Sequence, residues 1–253
     1  MISLRDRVAI ITGASRGIGA ATAIKFAEAG ARAIVINYNR ARDQAALVGA
    51  QCERLGAEVM LARADVSRPA SVEKMIQRAI ARFGSLDILV ANAGIWKRAA
   101  IEEMTEREWD ETINVNLKSI YACCQAAARV MTPRKRGTII LVSSTAGQRG
   151  EAFHSHYAAT KGAIISMTKS LAAELGPRGV TVNCLAPGWV ATDMTDDALN
   201  DPKRRRKIRD LIPLGRVATP EEIAGPILFL ASDLASHING EVLNVNGGSV
   251  LCG

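Results

Sequence analysis

Ser144, Tyr157 and Lys161 have the side-chain types and the spacing that acid–base chemistry on an oxygen atom requires. The segment that Tyr157 heads is predicted to be helical, and a separation of four residues places Tyr157 and Lys161 on one helix face. Because an ammonium group stabilises a neighbouring phenolate, we expect the pKa of Tyr157 to fall from about 10 toward neutrality. Such a phenol suits proton transfer between a carbonyl and an alcohol, and the Ser144 hydroxyl is expected to bind the substrate oxygen. A Tyr-x-x-x-Lys pair alone is usually an ordinary surface pair, so this interpretation needs a second site.

That second site is a glycine-rich turn, Thr12-Gly13-Ala14-Ser15-Arg16-Gly17-Ile18-Gly19, between the first predicted strand and a helix. Glycines there allow a tight turn and a close approach of the backbone to a pyrophosphate. The helix N-terminus adds N–H groups and a partial positive charge. The spacing G-x-x-x-G-x-G predicts a dinucleotide site formed by Gly13, Ser15, Arg16, Gly17, Ile18 and Gly19.

The same turn also fits G-x-S-x-G, the nucleophile turn of hydrolases, with Ser15 as the nucleophile. The base would then be one of the three histidines, His154, His156 or His237. That turn normally follows several strands rather than the first one, and none of the histidines has an obvious orienting partner in the sequence. The hydrolase hypothesis is therefore the weaker of the two.

Short apolar runs alternate with longer helical patterns from one end of the chain to the other. The predicted strands are Val8–Thr12, Ala33–Asn37, Glu58–Ala62, Asp87–Ala91, Thr138–Ser143, Val180–Leu185 and Glu241–Asn246. The predicted helices are Ile18–Ala29, Ala41–Leu55, Ala70–Phe83, Thr105–Met131, Tyr157–Leu175 and Pro220–Leu230. This alternation predicts an α/β fold: a seven-stranded parallel sheet in a Rossmann-type three-layer sandwich, forming one domain over residues 1–253. Residues 192–217 interrupt the alternation after the sixth strand and are predicted to form a substrate lid.

Composition excludes several classes of protein. No apolar run approaches the ~18–20 residues that a membrane helix needs. The five cysteines are odd in number and lack a C-x-x-C spacing, which disfavours both a disulfide framework and a zinc site. The net charge is +7, yet aromatic residues make up only 4%, too few for stacking on nucleic acid bases. We expect a cytoplasmic protein that binds no membrane, no nucleic acid and no metal.

Taken together, the motifs resemble the short-chain dehydrogenase/reductase family over essentially the whole chain. The glycine loop matches T-G-x-x-x-G-x-G, and Asn92-Ala93-Gly94 resembles the family's N-N-A-G, with Ala91 in place of the first asparagine. Asn116 stands at the position of the family's catalytic asparagine. Pro187-Gly188 with Val190 and Thr192 resembles the segment that grips the nicotinamide carboxamide, and Asp65-Val66 resembles the pair that lines the adenine.

The resemblance implies a role for each catalytic residue. Tyr157 would protonate the carbonyl oxygen as hydride arrives, and Ser144 would hold that oxygen. Lys161 would bind the nicotinamide ribose and tune Tyr157, while Asn116 would position a water. The family also implies a homotetramer, in which the helices predicted at 105–131 and 157–175 pair across a dimer axis.

The choice of cofactor depends on the end of the second strand, about 20 residues past the glycines. An acid there would bind the adenine ribose 2′-hydroxyl, but this chain has Asn37 and no acid until Asp43. Arg16 and Arg40 could pair with a 2′-phosphate, although both could also be solvated surface charges. NADP is the predicted cofactor.

The substrate is the least determined property. A basic run at 203–209 lies in the predicted lid, where Ile208, Leu211 and Ile212 would form the apolar face of a short helix. The run is either a solvated helix face or an attractor for the anionic handle of an acyl thioester. Arg134-Lys135-Arg136 and Arg178 lie near positions where family members that reduce 3-oxoacyl thioesters dock acyl carrier protein. A sugar, steroid or small-alcohol dehydrogenase and a non-catalytic NADP-binding protein remain alternatives.

Overall fold

The computed structural model describes residues 2–251; Met1, Cys252 and Gly253, which the sequence-based domain and cysteine predictions include, lie outside that range. One sheet has seven parallel strands in the order β3-β2-β1-β4-β5-β6-β7. Its strands are β1 Val8–Ile11, β2 Ala33–Tyr38, β3 Glu58–Arg63, β4 Ile88–Ala91, β5 Gly137–Val142, β6 Val180–Pro187 and β7 Val242–Val245. The predicted α/β fold class is confirmed.

Helices cover both faces of the sheet. They are α1 Gly17–Glu28, α2 Arg42–Arg54, α3 Pro69–Phe83, α4 Glu106–Ile113, α5 Ser119–Met131, α6 Ala146–Arg149, α7 Ser155–Leu175, α8 Asp196–Leu199, α9 Pro202–Asp210 and α10 Pro220–Ala231. Side chains alternate between the two faces along each strand, so Val8 and Ile10 join one apolar core while Ala9 and Ile11 join the other. Burial on both faces explains why the strands are continuous apolar runs.

The prediction of one helix over Thr105–Met131 is wrong. Thr105 and Glu108 form a reciprocal capping box that starts α4, and a π-helical turn at Asn114–Lys118 then separates α4 from α5. A π-helical turn inserts one residue into the helical repeat and occurs frequently at functional sites. Here it contains Asn116, whose side chain is fully buried.

The predicted lid contains two short helices, α8 and α9. Ile208 and Ile212 are buried in a small apolar cluster that also includes Trp96 and Trp189. Leu211, expected on the same apolar face, is 60% exposed because α9 ends at Asp210 and the chain turns there. That part of the lid prediction is wrong. Closure of this segment over a substrate stays a prediction.

The order of strands reverses between β1 and β4, which are neighbours in the sheet. In such sheets a crevice opens beyond the carboxyl ends of the strands at this point, because the connections on either side run to opposite faces. Thr12 joins the two sides of the crevice, since its hydroxyl accepts hydrogen bonds from the backbone N–H groups of Asn92 and Ala93. Within residues 2–251, no helix is long and apolar enough to cross a membrane.

Candidate active site

A cavity of about 120 Å³ lies at the carboxyl edge of the sheet and brings together residues that are far apart in sequence. Predicted site residues among those that line it are Ile18, Asn92, Gly94, Ser144, Tyr157, Lys161, Pro187, Gly188, Val190 and Thr192. The cavity therefore joins the start of α1, the ends of β4, β5 and β6, and the first turns of α7. The remaining predicted residues lie around it or along the same edge of the sheet.

Tyr157 and Lys161 lie one turn apart on α7 and are both buried. The Lys161 ammonium donates a hydrogen bond to the Val142 carbonyl at 2.8 Å and lies 5.6 Å from the centre of the Tyr157 ring. The Ser143 hydroxyl donates to the Lys161 carbonyl at 2.7 Å, which ties α7 to the end of β5. Because β5 ends at Val142, Ser144 lies two residues beyond the strand.

The expected fall in the Tyr157 pKa is wrong for this structure. Burial raises the pKa of Tyr157 to about 12, an effect that the Ser144 hydroxyl partly offsets. Burial also lowers the pKa of Lys161 to about 8. Removal from water disfavours the charged form of each group, and at this separation the ammonium does not reverse the effect on the phenol.

Asn116 acts on the loop after β4. Its carboxamide oxygen accepts a hydrogen bond from the Ile95 N–H, and its carboxamide nitrogen donates to the Ile95 carbonyl, each at 2.8 Å. A Cβ atom on Gly94 would lie 3.2 Å from the Asn116 oxygen and 3.8 Å from the Lys161 ammonium nitrogen. Asn116 is thus close to Lys161, while its role in positioning a water stays a prediction.

The glycine loop has the geometry that a bound pyrophosphate needs. Gly13 and Gly17 have φ angles of 63° and 55°, and a Cβ atom on Gly19 would lie 2.5 Å from the Gly13 carbonyl oxygen. No side chain caps α1, and the Ala20 N–H reaches back to the Arg16 carbonyl at 3.3 Å. First-turn N–H groups are therefore available to an anion, so the residues present fit a dinucleotide.

Asn37 has a structural role that the sequence did not predict. It is 2% exposed; its side-chain oxygen accepts from the Gly13 N–H, and its nitrogen donates to the Ala62 and Ala64 carbonyls. All of its polar atoms are occupied, so the prediction that it faces the cofactor ribose is not supported. It instead joins the glycine loop to β3.

The two arginines predicted to select NADP remain on the surface. Arg16 forms an ion pair with Asp193 at 3.4 Å, in which both side chains are more than half exposed. Arg40 follows β2 and is exposed. Asp65 accepts hydrogen bonds from the Ser67 backbone and hydroxyl, and Val66 is buried. Each side chain lies on the carboxyl side of its strand, where the predicted adenosine half of the site would be.

Comparisons with known proteins agree with this geometry. A family model described as "Enoyl-(Acyl carrier protein) reductase" matches residues 13–249. The chain is 44% identical over 245 residues to the 3-oxoacyl-[acyl-carrier-protein] reductase of Chlamydia trachomatis, covering 97% of this chain and 98% of that protein. It is 40% identical over 252 residues to the enzyme of the same name from Synechocystis, covering 99% and 100%. A solved dehydrogenase/reductase from Sinorhizobium meliloti 1021 superposes with a TM-score of 0.91 at 35% identity, covering 98% of this chain and 97% of that one.

The chain belongs to the short-chain dehydrogenase/reductase family. It is accordingly an oxidoreductase that acts on CH–OH or carbonyl groups. The hydrolase hypothesis for Ser15 is wrong, since the family consists of oxidoreductases that bind a nicotinamide cofactor. His154 and His156, two of the bases that this hypothesis offered, are both buried.

Several residues that line this short-chain dehydrogenase/reductase pocket were not predicted from the sequence motifs. Ser143, Arg149, Glu151 and Met194 line it in addition to the predicted residues. Glu151 and Arg149 belong to the connection between β5 and α7, and nothing in their local sequence distinguishes them from loop residues. Met194 lies in the predicted lid, and the prediction that this segment covers the substrate was the only indication that Met194 would line the pocket.

Proposed function

We propose that the protein reduces the keto group of 3-oxoacyl thioesters to a hydroxyl, using NADPH. The observation that carries this proposal is the cavity shared by Ser144, Tyr157 and Lys161, which residues of the segment from Pro187 to Thr192 also line. The names of the relatives support the choice of substrate, because two of them that match nearly the full length are 3-oxoacyl-[acyl-carrier-protein] reductases.

Proton delivery is the task of Tyr157 and Ser144. The bound dihydronicotinamide would supply hydride to the carbonyl carbon. The Tyr157 phenol donates its proton to the carbonyl oxygen, and its raised pKa of about 12 keeps it protonated at neutral pH. The Ser144 hydroxyl donates a hydrogen bond to the same oxygen, stabilising the negative charge that develops there.

Lys161 and Asn116 are proposed to resupply the proton that Tyr157 donates. The ammonium of Lys161, held by the Val142 carbonyl, would bind the nicotinamide ribose and replenish the proton of Tyr157. Asn116 holds the Ile95 backbone and lies near Lys161, so a water beside its carboxamide would connect the lysine to solvent. NADP use is supported by Arg16 and Arg40, two guanidinium groups on the same edge of the sheet that would pair with a 2′-phosphate.

An acidic acyl carrier protein is the proposed donor of the thioester. The six cations of α9 are exposed, and within residues 2–251 only Arg206 among them has a carboxylate within 4.0 Å. Arg134, by contrast, donates to the buried Asp87 carboxylate and to the Leu86 carbonyl, so it is a structural residue rather than a docking one. Arg178 pairs with Glu174. The cytoplasmic location predicted from the cysteine count belongs to the same proposal, and the four described cysteines are free and buried.

The decisive experiment measures oxidation of NADPH and NADH with an acetoacetyl thioester. We expect turnover with NADPH, and a loss of about 10²–10⁴-fold in kcat for Tyr157→Phe, with NADPH binding retained. NADPH binding without turnover of any carbonyl compound would favour the non-catalytic alternative. Reduction of a crotonyl thioester in preference to acetoacetyl would instead identify a C=C reductase, the activity named in the description of the matching family model.

A further inference from the structure

Glu151 places a carboxylate in the wall of the active-site cavity. It belongs to the connection between α6 and α7 and lines the cavity together with Ser144 and Tyr157. One of its oxygens, Oε2, accepts a hydrogen bond from the Trp96 indole N–H at 3.2 Å. The side chain is 20% exposed, so most of it is removed from water. The proposed proton transfer does not use this carboxylate, and its presence in the pocket needs a separate explanation.

The negative charge of Glu151 is poorly compensated. Among residues 2–251, no lysine or arginine nitrogen lies within 4.0 Å of its carboxylate. The His154 ring has its Nδ1 at 3.9 Å from Oε1, but that nitrogen donates to the Ala152 carbonyl at 2.9 Å. Arg149 also lines the cavity, yet it is exposed, so water and salt screen its charge. The cavity wall therefore carries an anion without a close cationic partner.

The charge of this carboxylate also acts on the group that donates the proton. Burial is the main cause of the raised pKa of Tyr157; the Ser144 hydroxyl lowers it, and the negative charge of Glu151 raises it further. Lys161, a buried cation of the same cavity, is hydrogen-bonded to the Val142 carbonyl and is assigned to the cofactor ribose in the proposed function. Because the substrate keto oxygen would lie at the Tyr157 phenol, the charge of Glu151 acts on any ionised group held close to that oxygen.

The substrates that carry a 3-oxoacyl group differ in such an ionised group. In a free 3-oxo acid the carboxylate is only one methylene away from the keto carbon. In an ester or a thioester the same position is neutral. Like charges brought together in a partly dehydrated site repel each other strongly, so the two kinds of substrate must differ in their binding beside Glu151.

We propose that Glu151 is a specificity residue: its carboxylate repels the carboxylate of free 3-oxo acids, so the pocket accepts a 3-oxoacyl group only as a neutral ester or thioester. The inference rests on the proposed function and narrows its substrate class. Glu151 acts on substrate binding and takes no part in proton transfer. Glutamine at this position would keep an oxygen that accepts from the Trp96 N–H while removing the charge, so Glu151→Gln separates the charge from the packing.

The test compares acetoacetate with methyl acetoacetate, which share a keto group and differ in the charge of the carboxyl group. With NADPH and the wild type, we expect kcat/KM for the acid to be at least about 10-fold below that for the ester. Glu151→Gln should raise kcat/KM for acetoacetate by about 10-fold and leave methyl acetoacetate within a few-fold. An effect of the charge on the oxyanion that develops during reduction is common to both substrates and cancels in their ratio.

Three further variants serve as controls. Glu103→Gln removes the same charge from an exposed side chain between β4 and α4 that does not line the cavity, and it should keep the wild-type ratio. Glu151→Asp retains the charge and should keep the preference for the ester. Arg149→Gln removes the exposed cation, so it should change the ratio less than Glu151→Gln does, and in the opposite direction.

If Glu151→Gln fails to fold, Glu151→Ala provides a second neutral side chain, and NADPH binding reports whether the pocket is formed. A wild type that reduces acetoacetate as well as its methyl ester overturns the inference, and so does an unchanged ratio in the neutral variants. A loss of the preference in Glu151→Asp also overturns it, because the charge is still present there. Each of these results leaves the proposed function in place. No turnover of the acetoacetyl thioester by the wild type would overturn the proposed function itself.

Discussion

Burial shifts the two ionisable groups of the pocket in opposite directions. The pKa of Tyr157 rises to about 12 and that of Lys161 falls to about 8, and both shifts favour the neutral form of the group. A phenol that stays protonated at neutral pH is the form that reduction needs. The lysine, by contrast, has a folded-state pKa near working pH, so its charge changes under ordinary assay conditions.

Lys161→Met tests the cost of burying this lysine. The folded-state pKa of about 8 lies below the ordinary 10.5, so between those values the unfolded chain binds more protons and wild-type stability rises with pH. We expect the stability advantage of Lys161→Met over the wild type to shrink by about 2 kcal/mol between pH 7.5 and 9.5 in urea unfolding. Lys169→Met, which replaces an exposed lysine on the same helix, should show no such pH-dependent difference. A constant difference for Lys161→Met would mean that the lysine is not buried as a cation.

Arg16→Ala tests the choice of cofactor. A charge-assisted hydrogen bond to a 2′-phosphate is worth about 1.5–3 kcal/mol, so the KM for NADPH should rise by about 10–100-fold. The KM for NADH should stay within about twofold, because NADH has no phosphate at that position. Arg40→Ala, measured in parallel, separates the two contributions. If NADPH kinetics are unchanged in both variants, Arg16 serves only the surface pair with Asp193.

Residue types and spacing predicted several of the side chains that line the pocket, but not what each one contacts. Tyr157, Lys161 and Ser144 reach one cavity because the ends of parallel strands and the helices that follow them share an edge. Asn37 and Arg134 were assigned to ligands, yet buried carbonyls and a buried carboxylate occupy them. Those partners come from distant strands, and a local pattern carries no information about them.

At the scale of elements, the sequence predicted the long periodic helices and the buried strands, with errors at their ends. It did not predict the break in the helix at Asn116. A helical pattern runs through residues 105–131, and periodicity cannot show that one extra residue is inserted at 114–118. The inserted turn contains Asn116, whose side chain binds the Ile95 backbone in a tertiary interaction across 21 residues of sequence that no local pattern shows.

Helix α9 carries the proposed electrostatic attraction of the carrier protein. The double substitution Arg204→Glu with Arg205→Glu should raise the KM for a carrier-bound substrate by about 10-fold at low ionic strength, with kcat unchanged. The effect should shrink in high salt, because exposed charges are screened over ~10 Å at 0.1 M. Lys74→Glu with Arg78→Glu on the exposed side of α3 is the matched control. An equal effect of both pairs, or an effect on an uncharged thioester, would contradict a role for α9.

At the scale of the whole molecule, the alternation of strands and helices was sufficient for the sheet. All six strand pairs are parallel and adjacent strands follow the doubly wound order, which right-handed connections favour. The lid was less predictable. Its helices are short and depend on Ile208 and Ile212 packing against tryptophans from two other loops.

At this scale we predict that four chains assemble into a homotetramer. The groove between α5 and α7 is lined by Tyr121, 47% exposed, with Met167 and Leu171 beside it. We expect light scattering to give roughly four times the 27.0 kDa chain mass, with Tyr121→Glu lowering it. Leu47→Glu, which changes an apolar side chain 72% exposed on α2, should leave the mass unchanged. A wild-type mass of one chain would contradict the homotetramer.

The positions of the tryptophans allow ligand binding in the pocket to be followed by intrinsic fluorescence. Two of the three in the chain, Trp96 and Trp189, line the cavity, whereas Trp109 lies outside it on α4. Dihydronicotinamide absorbs where indole emits, so an occupied pocket would accept energy from the two nearby rings while Trp109 gives a steady background. Ligand titrations can therefore be followed on the unlabelled protein, and Trp109→Ala would sharpen the signal.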